Sequence, residues 1–189
     1  MRSINRYFYG LVLAVLLIVL IAVFSSKSGS NPVANDLPSN YAEKNSYVEL
    51  YVRGPITSDQ THNDASITVS ANSVTMNNYV GYNGKISDSR TYSNTQNSYF
   101  NFLKALDLQS FMASDQKNIG SSPIGRCSFG NVYEFQLYND GNKVQDLWSS
   151  NCNGVPGDYK GNISNTLDLF KSQVPDFDTL SQELNFNFY

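Results

Sequence analysis

One stretch limits what this chain can fold into more than any other. From Leu11 to Phe24 every residue is apolar, and the wider span Tyr7–Ser26 carries no charge. A helix of about 20 residues crosses roughly 30 Å of hydrocarbon. Tyr7 and Tyr9 stand where an interfacial aromatic belt belongs. Arg2 and Arg6 outweigh Lys27 on the far side, which orients the N-terminus inward and the rest of the chain outward. The expectation is an uncleaved signal anchor over residues 1–26. The alternative is a cleaved signal peptide with its site after Ser25. No Cys follows the apolar run, which excludes a lipoprotein, and Gly10 lacks the downstream glutamate that a type IV pilin needs.

Residues 27–46 hold Ser, Asn, Gly, Pro32 and Pro38 with little to bury. They are expected to form a flexible spacer. Residues 47–189 are then an extracytoplasmic domain. With 13 Tyr, 11 Phe and one Trp in the chain, this part carries too many large apolar groups to stay unfolded. The formal charge is −3, and Arg2 and Arg6 lie in the anchor, so the remainder is −5. An acidic domain without a basic stripe argues against a nucleic-acid partner.

Val48, Leu50 and Val52 alternate with Tyr47, Glu49, Tyr51 and Arg53, the pattern of a strand with one buried face. Residues 66–70, 74–82 and 85–92 read as three more strands, with Asn83-Gly84 as a hairpin turn. Ser93-Asn94-Thr95 offers a helix cap. Tyr99, Phe102, Leu103 and Leu106 follow at helical spacing, with a continuation toward Phe111 and Met112. Residues 127–138 and 143–152 form a second hairpin around Asn139–Asn142. Two short C-terminal helices follow, carrying Leu167, Phe170 and Val174, then Phe177, Leu180 and Leu184. The fold class is therefore α+β: an antiparallel sheet of hairpins, one central and two C-terminal helices packed on it, and one N-terminal transmembrane helix before it.

Cys127 and Cys152 bracket the second hairpin. A turn at Asn139-Asp140 makes them direct cross-strand neighbours, and one at Asp140-Gly141 makes them diagonal neighbours. Either register places both on one face with Phe129, Tyr133, Phe135, Val144 and Trp148. An oxidising, exported setting favours a disulfide worth about 3 kcal/mol. Buried free thiols and a catalytic cysteine are the alternatives.

Chemistry is scarce. His62 is the sole histidine. It lies in a polar stretch with Asp59 and Asp64, lacks the second imidazole or thiolate of a zinc site, and reads as a solvated loop residue whose replacement by Ala leaves folding intact. Glu134 is expected on a polar strand face, paired with Lys143 across the hairpin. No motif asks for a cofactor or a metal, and no catalytic residue is assigned. Tyr47, Tyr51, Tyr79 and Tyr92 are the candidates for a contact surface, because tyrosines amid Asn and Ser suit protein or glycan partners.

Several short pieces carry a resemblance: Arg53-Gly-Pro-Ile56, Ile67-Thr-Val-Ser70, Tyr79-Val-Gly-Tyr82, Val132-Tyr-Glu-Phe135, Asn139-Asp-Gly141, Leu147-Trp-Ser149 and Val174-Pro-Asp176, with Cys127 and Cys152. Together the chain resembles uncharacterised single-anchor envelope proteins of Saccharibacteria-like bacteria. The resemblance implies a place at the cell membrane and a disulfide, and no chemistry. The leading expectation is a membrane-tethered binding or envelope-interaction domain. A carboxylate-dependent enzyme acting on envelope polymers and a structural subunit of an envelope assembly are the alternatives.

Overall fold

The computed structural model describes residues 36–183. The expected anchor, residues 1–26, lies outside the described residues. Among the described residues no helix is long and apolar enough to cross a membrane.

Six strands form one antiparallel sheet: β1 (Ser46–Arg53), β2 (Asn63–Ser70), β3 (Ser73–Val80), β4 (Lys85–Ser93), β5 (Val132–Asn139) and β6 (Asn142–Ser150), in the order β4-β3-β2-β1-β5-β6. Three helices complete the α+β fold: α1 (Gln96–Leu108), α2 (Ile163–Lys171) and α3 (Phe177–Glu183). The pairing of β1 with β5, Leu50 opposite Phe135, joins two hairpin systems more than 80 residues apart in sequence.

The alternation in β1 decides the layering. Val48, Leu50 and Val52 are fully buried, with Ile67, Val69 and Met76 on one side and Phe135 and Leu137 on the other. This face receives Tyr99, Phe102, Leu103 and Leu106 from α1 and Leu167 and Phe170 from α2. Thr95 caps α1 by accepting from Ser98 N. The helix stops at Leu108, short of its expected continuation, because Ser110 turns to φ 58°. That turn drops Phe111 into the core between Phe135, Tyr159 and Phe170. The packed region also begins earlier than residue 47. A 3-10 turn at Pro38–Tyr41 buries Tyr41 and Ala42 against the main core.

The first hairpin turn departs from the sequence reading, whereas the second takes one of the two registers it offered and departs only through a bulge. The first hairpin closes at Val80–Lys85 around four residues, with Gly81 and Gly84 at positive φ. The Asp59 carboxylate accepts from Tyr82 N and sits where a Cβ on Gly81 would lie 2.8 Å away, so the loop leans onto the β1–β2 connection and needs glycine there. The second hairpin turns at Asp140-Gly141, both left-handed. A bulge at Val144 then shifts the pairing between Leu137 and Tyr138. This overturns the expected face. Tyr133 and Phe135 enter the main core, while Trp148 stands opposite Glu134 on the other side. Cys127 precedes β5 in a loop, and Phe129 beside it is 96% exposed.

Cys127 and Cys152 are nonetheless bonded to each other, because both loops leave the same end of the sheet. With Val132, Trp148 and Val155 they form a small second cluster.

Candidate functional site

All three helices pack on one face of the sheet, which leaves the other to the polar half of each strand. On β1 that half is Tyr47, Glu49, Tyr51 and Arg53. The register sets Ser70, Thr68, Ser66 and Asp64 beside them on β2, and Tyr138, Gln136 and Glu134 on β5. Tyr79 follows on β3, opposite Asp64, and Asp146 on β6, opposite Gln136.

These side chains bond to one another. Tyr47 and Tyr138, directly paired, stack at 4.5 Å between ring centroids. Tyr51 and Tyr79 lie 5.6 Å apart, and the Arg53 guanidinium covers the Tyr51 ring at 4.9 Å. Arg53 pairs with Glu134. Gln136 donates to Glu134 at 3.2 Å and to Asp146 at 3.0 Å, and accepts from the Tyr138 hydroxyl at 3.0 Å. Lys143 completes the chain on Asp146 at 2.9 Å. The expected Glu134–Lys143 pair is therefore replaced by two pairs, because β1 inserts Arg53 beside Glu134 and the bulge moves Lys143 toward Asp146.

Burial tunes this lattice. It raises the Glu49 carboxyl, with Lys143 pulling the other way. It also raises the Tyr51 hydroxyl, which donates to Asp64, and those of Tyr47 and Tyr138. For Arg53, burial works against the charge and Glu134 outweighs it, leaving the guanidinium held more firmly than usual. The face thus offers half-exposed tyrosine rings and hydroxyls with Glu49 and Arg53 on rigid strands, over a buried layer of Glu134, Gln136, Asp64 and Ser66.

At the loop end of this face lies the largest departure from the sequence reading. His62 is only 5% exposed, with Nε2 3.0 Å from Asp64 Oδ1 and Nδ1 3.0 Å from the Pro55 carbonyl. Tyr82 stacks on it at 3.9 Å. Both ring nitrogens face oxygens, the Asp64 carboxylate and the Pro55 carbonyl, that can accept a hydrogen bond. Asp64 further accepts from Gly54 N and the Tyr51 hydroxyl, each at 3.0 Å. His62 is a buried fastener between the β1–β2 loop and the sheet, not a solvated residue. Asp59 turns instead to Tyr82 N. Among the described residues no group of three or more His, Cys, Asp or Glu is arranged to hold a metal.

Of the four tyrosines singled out in the sequence, Tyr47, Tyr51 and Tyr79 share the uncovered face. Tyr92 pairs with Val74 and packs against the main core, on the opposite side. Sequence reasoning missed Tyr138, and it read Asp64 as part of a polar loop beside His62, whereas Asp64 lies in β2 opposite Arg53 and Tyr79. Tyr138 lay in a legible strand, but nothing local announced that β5 would pair with β1.

The chain matches no protein-family model and no curated protein.

Proposed function

We propose that this protein is a membrane-tethered, extracytoplasmic binding domain of the cell envelope, and that the uncovered sheet face is its contact surface. The observation that carries this reading is the lattice of Tyr47, Tyr51, Tyr79 and Tyr138 with Glu49, Arg53, Glu134 and Gln136. Its side chains hold one another in place, so little conformational freedom remains to be lost on binding. Tyrosine supplies contact area with few rotatable bonds, and its hydroxyl takes either hydrogen-bonding role. An envelope protein or a glycan suits such a surface. The apolar N-terminal run and the resemblance to single-anchor envelope proteins support the location, and the disulfide suits an oxidising compartment.

A second reading has one observation behind it: the raised Glu49 carboxyl shares a face with Glu134, as a carboxylate enzyme acting on envelope polymers would require.

Crosslinking in native membranes followed by co-purification separates the two. The binding reading expects a stoichiometric partner that is lost when Tyr47 and Tyr138 are both replaced by Ser. Capture of the same partner at the same yield by that variant would contradict it. Turnover of envelope polymer that E49Q abolishes would favour the enzyme.

A further inference from the structure

A bare sheet edge can take a further strand, and the two edges of this sheet differ. Along β6 the chain turns back on itself. Asp158 N and Tyr159 N donate to Trp148 O at 3.0 and 2.9 Å. Trp148 N donates to Asp158 Oδ1 at 2.7 Å, and the Ser149 hydroxyl donates to Pro156 O at 3.0 Å. Residues 155–159 therefore cover that edge around Trp148. Strand β4 ends the sheet on the other side and pairs with β3 alone. All its residues except Asp88 and Tyr92 are exposed.

The register shows which backbone groups the β4 edge presents. Asn94 N donates to Asn72 O at 2.9 Å, so the facing pairs at every second position, Val74–Tyr92, Met76–Arg90 and Asn78–Asp88, bond inward. Ser89 and Thr91, between them, turn their amides and carbonyls outward.

Charge identifies the partner. Charged side chains at a sheet edge ordinarily keep other strands away. Those of β4 are instead complementary to themselves. Asp88 and Arg90 share one face, with Oδ1 and Nη1 3.2 Å apart. A second copy of β4, laid antiparallel about a two-fold axis at Ser89, sets each Asp88 directly opposite the other copy's Arg90. Opposite charges become direct neighbours, and like charges fall on the diagonals. Ser89 meets Ser89 at a hydrogen-bonded position, and Thr91 meets Ser87. The pairing with β3 skips Ser87, and this bulge ends the match; Tyr92, packed on the main core, lies beyond it.

We propose that two copies of this chain pair through β4, antiparallel about Ser89, joining two six-stranded sheets into one. The covered β6 edge closes the assembly at two copies. This edge is a different surface from the tyrosine lattice, and the proposal stands without that reading.

The test exposes the full chain in detergent solution, carrying S89C or T91C, to a mild oxidant. Facing Ser89 residues would lie about 5.5 Å apart at Cα, within disulfide reach, and the two Thr91 residues about 13 Å apart. S89C is expected to give a bonded dimer, mapped to position 89, at about tenfold the yield of T91C. Adding D88R to S89C sets Arg against Arg and should lower that yield about tenfold, and adding R90D as well exchanges the two charges and should restore it. The absence of a dimer from S89C overturns the proposal. So do equal yields at positions 89 and 91, a D88R chain that dimerises as well as its parent, or a double exchange that restores nothing. Crosslinking in native membranes that joins position 89 to a different protein would give the edge to a foreign strand and equally overturn it.

Discussion

Strand β1 serves two surfaces at once, and their difference is instructive. Val48, Leu50 and Val52 are wholly buried under the helices. One residue away each time, Tyr47, Glu49, Tyr51 and Arg53 remain half exposed and bond sideways to neighbours on β2 and β5. On the covered face, contacts reach across layers and their removal leaves cavities. On the uncovered face, contacts run within a single layer, and those of the half-exposed tyrosines are open to water or a partner. The covered face therefore carries stability, and the uncovered face is the one proposed to carry recognition. Substitutions should separate accordingly.

The largest expected effect falls on the covered face. Phe135 packs against Phe111 and Tyr159 with no exposure, so Phe135→Ala should cost about 3–5 kcal/mol in denaturant unfolding. A cost under about 1 kcal/mol would show that the core is not organised around it. Replacing both Cys127 and Cys152 with Ser opens a loop whose ends lie 25 residues apart. It should cost about 3 kcal/mol, read as a lower Tm that reducing agent no longer affects.

His62 sits where the two surfaces meet. His62→Ala leaves Asp64 and the Pro55 carbonyl short of a donor, so it should cost about 2–3 kcal/mol. Stability equal to the parent's would return His62 to the solvated role that its sequence context implies.

A smaller effect comes from Glu49. Burial raises its carboxyl in the folded state, so the folded protein holds this proton more tightly than the unfolded chain does. Its contribution to stability is complete below the ordinary glutamate range and is lost as pH rises through the raised folded value. E49Q should therefore show a flatter fall in Tm across that window and a slightly higher Tm at neutral pH. An unchanged pH profile would contradict the burial argument. Smallest of all, Tyr47→Ser and Tyr138→Ser should each shift unfolding by under about 1 kcal/mol, as expected for a cross-strand pair that solvent reaches.

What the sequence showed and hid follows the same divide. Period-2 alternation in β1, the Thr95 cap and the helical spacing of Tyr99, Phe102, Leu103 and Leu106 are local signals, and the structure follows them. The bonded cysteines were legible because hairpin ends meet whichever way the turn closes. The side-chain faces of that hairpin were not, since a single bulged residue, Val144, turns Trp148 away from Tyr133 and Phe135. Pairing of β1 with β5 has no local signature, so the Arg53–Glu134 bond and the Tyr47–Tyr138 stack lay beyond the strand pattern. Tyr92 was misplaced because its strand looked polar throughout, and only its position opposite Val74 assigns the side.

The claim that the uncovered face is the binding surface is tested most directly by photocrosslinking the full chain in native membranes. Benzoylphenylalanine would replace Tyr47 in one sample and Tyr92 in another, one tyrosine on each face of the same sheet. The account expects a discrete adduct from position 47 and none from position 92. An adduct of equal yield from position 92, or from that position alone, would contradict it.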